Sequence, residues 1–300
     1  MRIMGGRHAV ASAAFAAAVA PGIAAAEDTF RAEAGLSYSH IKGDDFRRTS
    51  AGVDATYYFD DLPSQPKDTP YDQVQFVERV GSVTAAYDWT SSDQDGVERL
   101  SNGNEYGAMI QFARPDTVLR AAASFAFFNS GKTKSGSVET ENNAKGYMLS
   151  IGAYVAQTTS VDLSWASSKT TTSTTPSLPD TTLDSIALTG QHLARLEGGG
   201  HVAISATATQ FTIKSEGTPT QKNNDLLVQA IYYPTRVLGL KLGIRVDRGD
   251  EDSLEGETYI VGVKTFVTPA LSLSADYQKF NAKAAGLDRD TIMLRAAMRF

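Results

Sequence analysis

Fourteen charged residues sit at alternate positions of apolar-patterned stretches, on the side away from the bulky side chains: Arg31, Glu33, Arg48, Asp54, Asp88, Glu105, Arg120, Asp162, Lys241, Arg245, Lys264, Asp276, Arg295 and Arg299. Charge in such a setting does one of two things. It faces water and acts on passing ions, or it pairs off as a salt bridge and acts as structure. Other chemistry is thinly supplied. Beyond residue 26 the histidines are His40, His192 and His201, scattered over segments and their ends, and His8 precedes them. Serine and aspartate are abundant, so no Ser/His/Asp spacing stands out as a triad. Gly198-Gly199-Gly200 is a lone glycine run and reads as a turn rather than a phosphate cradle. Asp250, Glu251, Asp252, Glu255 and Glu257 form an acidic cluster that reads as a solvated loop, weak divalent-cation binding being the alternative. The chain has no cysteine, which removes disulfides and thiolate-bound metal. No catalytic residue, metal site or cofactor is expected.

The elements that carry the charges share a two-residue rhythm. In Leu238–Asp247, Leu238, Leu240, Leu242, Ile244 and Val246 take one face, while Lys241, Arg245 and Asp247 take the other. Side chains on a strand alternate between faces, and helical spacing would mix these two sets. The last ten residues repeat the pattern: Ile292, Leu294, Ala296, Met298 and Phe300 against Thr291, Arg295 and Arg299. Fourteen such segments run from Phe30 onward, at 30–41, 46–58, 80–91, 103–113, 117–128, 145–156, 159–168, 182–192, 200–213, 224–233, 237–247, 256–267, 270–280 and 289–300. In 200–213 the phase slips near Gln210, and 182–192 has few bulky residues, so twelve to sixteen strands stay open.

Connections alternate between tight and long. Arg114-Pro115-Asp116, Gln157-Thr158-Thr159, Pro234-Thr235-Arg236 and Thr268-Pro269 are tight; the polar links 129–145, 168–181, 215–223 and 248–256 are longer. Short turns on one side and long loops on the other is the habit of outer-membrane barrels. An even strand count places both termini on the short-turn, periplasmic side. The segment from Asp60 to Arg79 breaks the rule, being long yet on that side. Thr69-Pro70-Tyr71-Asp72 could start a periplasmic helix there, with threonine as N-cap and proline at N1. Alternatively the segment packs across the barrel mouth or into the lumen.

The faces then acquire meanings. Tyr38, Tyr57, Phe59, Tyr87, Trp89, Trp165, Tyr232, Tyr259 and Tyr277 lie toward segment ends on the apolar side, which suits a membrane–water boundary. Lysine or arginine on the lipid side would cost ~2–4 kcal/mol at mid-depth, so the charged parity is assigned to a hydrated lumen. The signs also segregate. Lys241, Arg245, Lys264, Arg295 and Arg299 lie on segments eleven, twelve and fourteen, and Asp54, Asp88 and Glu105 on segments two to four. Facing walls of opposite sign would set up a transverse field.

Residues 1–26 read as a cleaved signal peptide: Arg2 and Arg7, an apolar run from Ala9 to Ala20, Pro21-Gly22, and Ala24-Ala25-Ala26 before Glu27. An uncleaved anchor is the alternative. Losing the two arginines takes the formal charge from −6 to about −8, which disfavours nucleic acid. The remaining residues 27–300 suit one large all-β domain.

The stretch Ala55-Thr-Tyr-Tyr-Phe-Asp60, a proline-bearing link, and Pro70-Tyr-Asp-Gln-Val-Gln-Phe-Val-Glu-Arg79 resembles the proteobacterial "putative porin" group over residues 50–90. Size and strand count are also similar to the monomeric fourteen-stranded porins. The resemblance implies a Gram-negative outer-membrane location. It also implies that Phe300, with Met298 and Ala296, is the signal read by the barrel-assembly machinery.

The expectation is thus an all-β, transmembrane, antiparallel up-and-down barrel of fourteen strands. It would pass small hydrophilic solutes or ions passively, filtered by lumen charge. Its partners would be outer-membrane lipid and lipopolysaccharide, with a monomer favoured over a trimer because no long third loop is visible. A plugged structural or adhesive barrel and a barrel hydrolase are the alternatives.

Overall fold

The computed structural model describes residues 28–44, 46–94, 101–135, 138–174, 179–250, 255–284 and 287–300. The signal-peptide reading of 1–26, and Glu251 and Asp252 of the acidic cluster, fall outside them.

Fourteen antiparallel strands close into a barrel in simple up-and-down order, with β14 pairing back onto β1. They are β1 Thr29–Gly43, β2 Phe46–Pro63, β3 Ser82–Gln94, β4 Ser101–Ala113, β5 Leu119–Ser135, β6 Val138–Ala156, β7 Thr159–Ser173, β8 Thr181–Arg195, β9 His201–Ser215, β10 Gln221–Thr235, β11 Leu238–Gly249, β12 Gly256–Phe266, β13 Leu271–Ala282 and β14 Arg289–Arg299. A sheet that closes on itself leaves no edge, which lets every strand cross an apolar layer with its backbone bonded.

The period-two pattern has the meaning the sequence suggests. Large apolar side chains of one parity stand exposed on the barrel exterior, among them Ile151 at 63%, Leu242 at 64% and Val155 at 66%. So continuous an apolar exterior suits lipid, not water. Aromatic residues on that exterior fall into two groups: Tyr38, Tyr87, Tyr106, Trp165, Tyr259 and Tyr277 toward the loop end, and Tyr57, Phe59, Phe112 and Tyr232 toward the turn end.

Three details depart from the sequence reading. Much of the polar links 129–145 and 168–181 is strand, because β5, β6 and β7 continue past the apolar layer. A membrane crossing needs only about 9–11 residues, and beyond it both faces meet water and the alternation loses its contrast. Near Gln210 there is no slip: β9 keeps continuous register with β8 and β10. Phe211 simply faces inward, opposite Asn223, and mimics a phase change. Lastly, β2 runs on to Pro63, so the long link is 64–81 rather than 60–79.

That link folds into the barrel. Tyr71–Gln73 forms a single 3-10 turn and Val74–Glu78 a short helix, α1. Pro70 precedes the turn without any side-chain cap, so Thr69 does not serve as the N-cap. The helix ends at Arg79, left-handed at φ 55°, whose N–H reaches the Gln75 carbonyl. The two dry clusters among the described residues both seat this segment. One joins Val74 and Val80 to Phe30, Tyr58 and Leu62; the other packs Phe76 and Val77 on Leu193, Ala203 and Tyr233. Full burial of side chains such as Leu62 and Val74 contributes about 2 kcal/mol each. The link is therefore both a helix and a strap across the turn-end lumen.

Candidate functional site

Thirteen of the fourteen charged residues keep the inward parity in the pairing registers. Arg31 does not. A bulge between Phe30 and Ala32 lets both Arg31 and Ala32 donate to the Phe300 carbonyl, and the extra residue turns Arg31 outward. There it pairs with Asp61, both side chains about half exposed. Arg31 is thus not pore-lining.

Closure also changes the meaning of charge segregation. β14 lies next to β1 and one strand from β2, so Arg295 and Asp54 are neighbours rather than facing walls. Arg295 donates to Asp54 at 2.7 and 3.2 Å and to Glu33 at 3.0 Å. Arg299 holds the other Glu33 oxygen at 3.0 Å and donates to the Tyr71 carbonyl at 3.0 Å. Its guanidinium lies 4.6 Å from the Phe30 ring centre and 4.5 Å from that of Phe266. Glu33 at 9% and Arg299 at 7% exposure are inward but covered, so they seat the strap and do not meet the open channel.

Other cations are matched in the same way. Arg120 meets Asp162 at 3.0 Å, Lys241 meets Asp276 at 2.8 Å, and Lys264 approaches Asp72 of the strap at 3.9 Å. Arg245 holds Asp225 at 2.8 Å and Asp247 at 2.9 Å. Glycine makes some of these pairs lie flat. A side chain at Gly262 would put its Cβ 2.0 Å from an Asp276 oxygen, and one at Gly35 would sit 2.5 Å from Asp54. Each missing side chain leaves the carboxylate a bed against the wall beside its cation.

The strap is tied around the rim as well as at the seam. Asp72 accepts from the Tyr233 hydroxyl at 3.1 Å, while Gln73 donates to that hydroxyl at 2.9 Å and accepts from Gln191 at 3.3 Å. Arg236 donates to the Pro66 and Lys67 carbonyls. Arg79 stacks 4.5 Å from the Tyr154 ring centre and reaches the Thr117 and Ala156 carbonyls. Left-handed backbone at a non-glycine residue costs roughly 1–2 kcal/mol, which these contacts offset.

Arg48, Asp88 and Glu105 are different. None has an ion pair within 4.0 Å among the described residues. Arg48 lies 5.9 Å from the Phe128 ring centre, and Asp88 and Glu105 sit directly opposite each other on β3 and β4. Arg289 joins them: it stacks 4.7 Å from the Phe280 ring centre, again without an ion pair within 4.0 Å among the described residues.

Residues 8–300 match the family described as "Putative general bacterial porin". The chain belongs to this family. Among solved structures it is similar to the outer membrane protein Omp33 of Acinetobacter baumannii, with 18% identity, 91% of this chain and 99% of that chain covered, and a TM-score of 0.58. That likeness concerns the fold. A loop-deleted OmpT of Vibrio cholerae (11% identity, 91% and 100% covered, TM-score 0.49) and the Pseudomonas putida toluene transporter TodX (11%, 93% and 90%, TM-score 0.46) are more distant barrels. No curated protein sequence matches the chain. Family and fold make this porin a channel-type barrel of the Gram-negative outer membrane.

Sequence reasoning put Asp247 on the charged face without counting it among the wall charges, and missed other residues of the porin's inner wall. Asp225 and Asp247 complete the Arg245 pairs, and Asp72, Gln73 and Tyr233 tie the strap. Asp247 carried a signal, since it shares the parity of Lys241 and Arg245; the strap contacts carried none, because they join residues some 160 positions apart. The histidines stay dispersed. His40 meets Thr49 at 3.1 Å, His192 meets Thr159 at 2.8 Å, and His201 is buried. At the chain end, the Phe300 carbonyl accepts from Arg31 and Ala32, and its N–H donates to Ala32, closing the seam while its ring stays exposed.

Proposed function

We propose that this porin is a passive channel for small hydrophilic solutes or ions, sieved by the strap at the turn end and filtered by the unpaired wall charges. The observation that supports this most is the sorting of the charges. An ion pair is felt at a distance only as a dipole, whereas a single charge in a narrow, poorly screened lumen acts on every passing ion. Arg48, Arg289, Asp88 and Glu105 are charges of the second kind. Arg120, Lys241, Lys264, Arg295 and Arg299 are held as structure.

In this reading the leader 1–26 is removed on export, residues 27–300 form one barrel domain, and the barrel works as a monomer bounded by lipid and lipopolysaccharide. The barrel-assembly machinery recognises the exposed Phe300 ring together with Ala296 and Met298. No catalytic role is proposed. If purified wild-type protein hydrolyses lipid and substitution of His40, His192 or His201 abolishes it, that part of the reading fails.

Single-channel recording in planar bilayers tests the main claim. Discrete conductance steps are expected, with a reversal potential in a salt gradient that responds to the four unpaired charges. One observation favours a plugged, structural barrel instead: the strap crosses the turn-end lumen from the turn before β5 to β14. A folded barrel that inserts yet shows no steps establishes that second reading.

A further inference from the structure

At the loop end the inner wall holds a feature that ion sieving does not require. Ile41, Phe211, Asn223, Arg245, Phe280 and Arg289 line a recess with a volume of about 350 Å³. They come from β1, β9, β10, β11, β13 and β14, so the recess is a crescent along one side of the lumen. A hydrated small ion gains nothing from phenylalanine or isoleucine on its path. Three large apolar side chains facing the water side of a barrel wall therefore point to a solute with an apolar body.

The polar groups of the recess add a charge preference. Arg289 is stacked on the Phe280 ring, which covers one face of the guanidinium and leaves its edge N–H groups for an acceptor. No carboxylate among the described residues takes them. Arg245 stands behind, 41% exposed, bonded to one oxygen of Asp225 and to Asp247; Asp247 also lines the recess, and this bond sets a cation against its charge.

We propose that this crescent is a binding subsite for a small organic anion, an aromatic carboxylate in particular. Its carboxylate takes the edge of Arg289, and its ring lies between Ile41, Phe211 and Phe280. The subsite rests on the channel reading, because its guest is the solute on its way through the lumen.

The test uses the full barrel in detergent and benzoate as the probe, measured by titration calorimetry, with acetate and benzyl alcohol as partners lacking the ring or the charge. Benzoate is expected to bind and both partners to bind far more weakly. Arg289→Gln should weaken benzoate about tenfold or more, the usual cost of losing a charged hydrogen bond. Arg289→Lys, which keeps charge but loses the fork, should fall between. Phe280→Leu, a milder change for folding, should weaken benzoate while leaving acetate as it was. Equal binding of benzoate and acetate, or benzoate binding indifferent to both Arg289→Gln and Phe280→Leu, overturns the subsite. Planar-bilayer recording separates the two readings. Benzoate binding that depends on Arg289, in a barrel without conductance steps, keeps the subsite and removes the channel. Steps without benzoate binding do the reverse.

Discussion

Arg299 and Arg289 sit ten residues apart on one strand, on the same inward parity, and meet opposite fates. At the turn end, Arg299 is clasped by Glu33, stacked between Phe30 and Phe266 and bonded to the Tyr71 carbonyl of the strap. At the loop end, Arg289 rests on Phe280, with Asp247 in its surroundings and no ion pair within 4.0 Å among the described residues. Between them Arg295 is shared by Asp54 and Glu33. Along β14 the wall passes from structural charge to available charge. Identity of residue type and face was not enough to tell the two apart; what stands beside each residue on the neighbouring strands decides it.

The comparison is broken most forcefully by removing what covers the turn end. Replacing residues 66–78 by a glycine–serine linker of equal length removes α1, the fixed carbonyl that Arg299 reaches at position 71, and the Asp72–Tyr233 and Gln73–Tyr233 bonds together. Single-channel conductance should rise severalfold, since lumen diameter follows strand number once nothing fills it. An unchanged conductance places the constriction at the loop end and reverses the assignment of the two halves.

Stability should separate the same two arginines next. Arg299→Ala leaves buried Glu33 with one partner instead of two and frees the strap, at a cost of about 2–3 kcal/mol in urea unfolding. Arg289→Ala removes an exposed side chain bound to no carboxylate, and a change within about 0.5 kcal/mol is expected. Equal losses would mean that Arg289 is as structural as Arg299.

Much of this was legible beforehand, for a physical reason. Lipid demands an apolar residue at every second position, so Leu238 to Val246 announces both strand and face, and fourteen such segments give the barrel. Where the environment imposes no contrast, the signal fades, as in the water-bathed extensions of β5, β6 and β7. Arg31 was misplaced because a bulge is set by how β1 meets β14 and β2, not by its own neighbours in sequence. Charge segregation was visible and misread in part: a linear chain makes segments two and fourteen seem remote, and closure puts one strand between them, whereas β11 and β4 do lie on opposite sides of the barrel. The strap's helix was foreseen as one of two options, whereas its partners Tyr233, Gln191 and Lys264 belong to strands far along the chain.

Selectivity offers a finer cut. Neutralising the unpaired cations with Arg48→Gln and Arg289→Gln should move the reversal potential toward cation preference. Neutralising the opposed acids with Asp88→Asn and Glu105→Gln should move it toward anions. Both shifts should shrink as salt rises from 0.1 to 1 M, where the screening length falls from about 10 to about 3 Å. If neither pair of substitutions moves the potential, the unpaired charges are not the filter.

The smallest effect is the sharpest test of the division. Lys241 and Asp276 form an ion pair at 2.8 Å on the same inner wall, partly buried, with the carboxylate laid against Gly262. Replacing both by leucine removes a cation and an anion together, so the wall loses a dipole and no net charge. Replacement of a partly desolvated pair by apolar side chains that pack is often close to neutral, and a stability change within about 1 kcal/mol is expected. The reversal potential should stay where it was. Lys241→Leu alone should not be silent: Asp276 then joins the unpaired acids, and the potential should move toward cations as the ion-paired class gives up a member. A double variant that shifts selectivity as much as the single one would show that paired charges also act on passing ions. The distinction between the two ends would then be one of packing only.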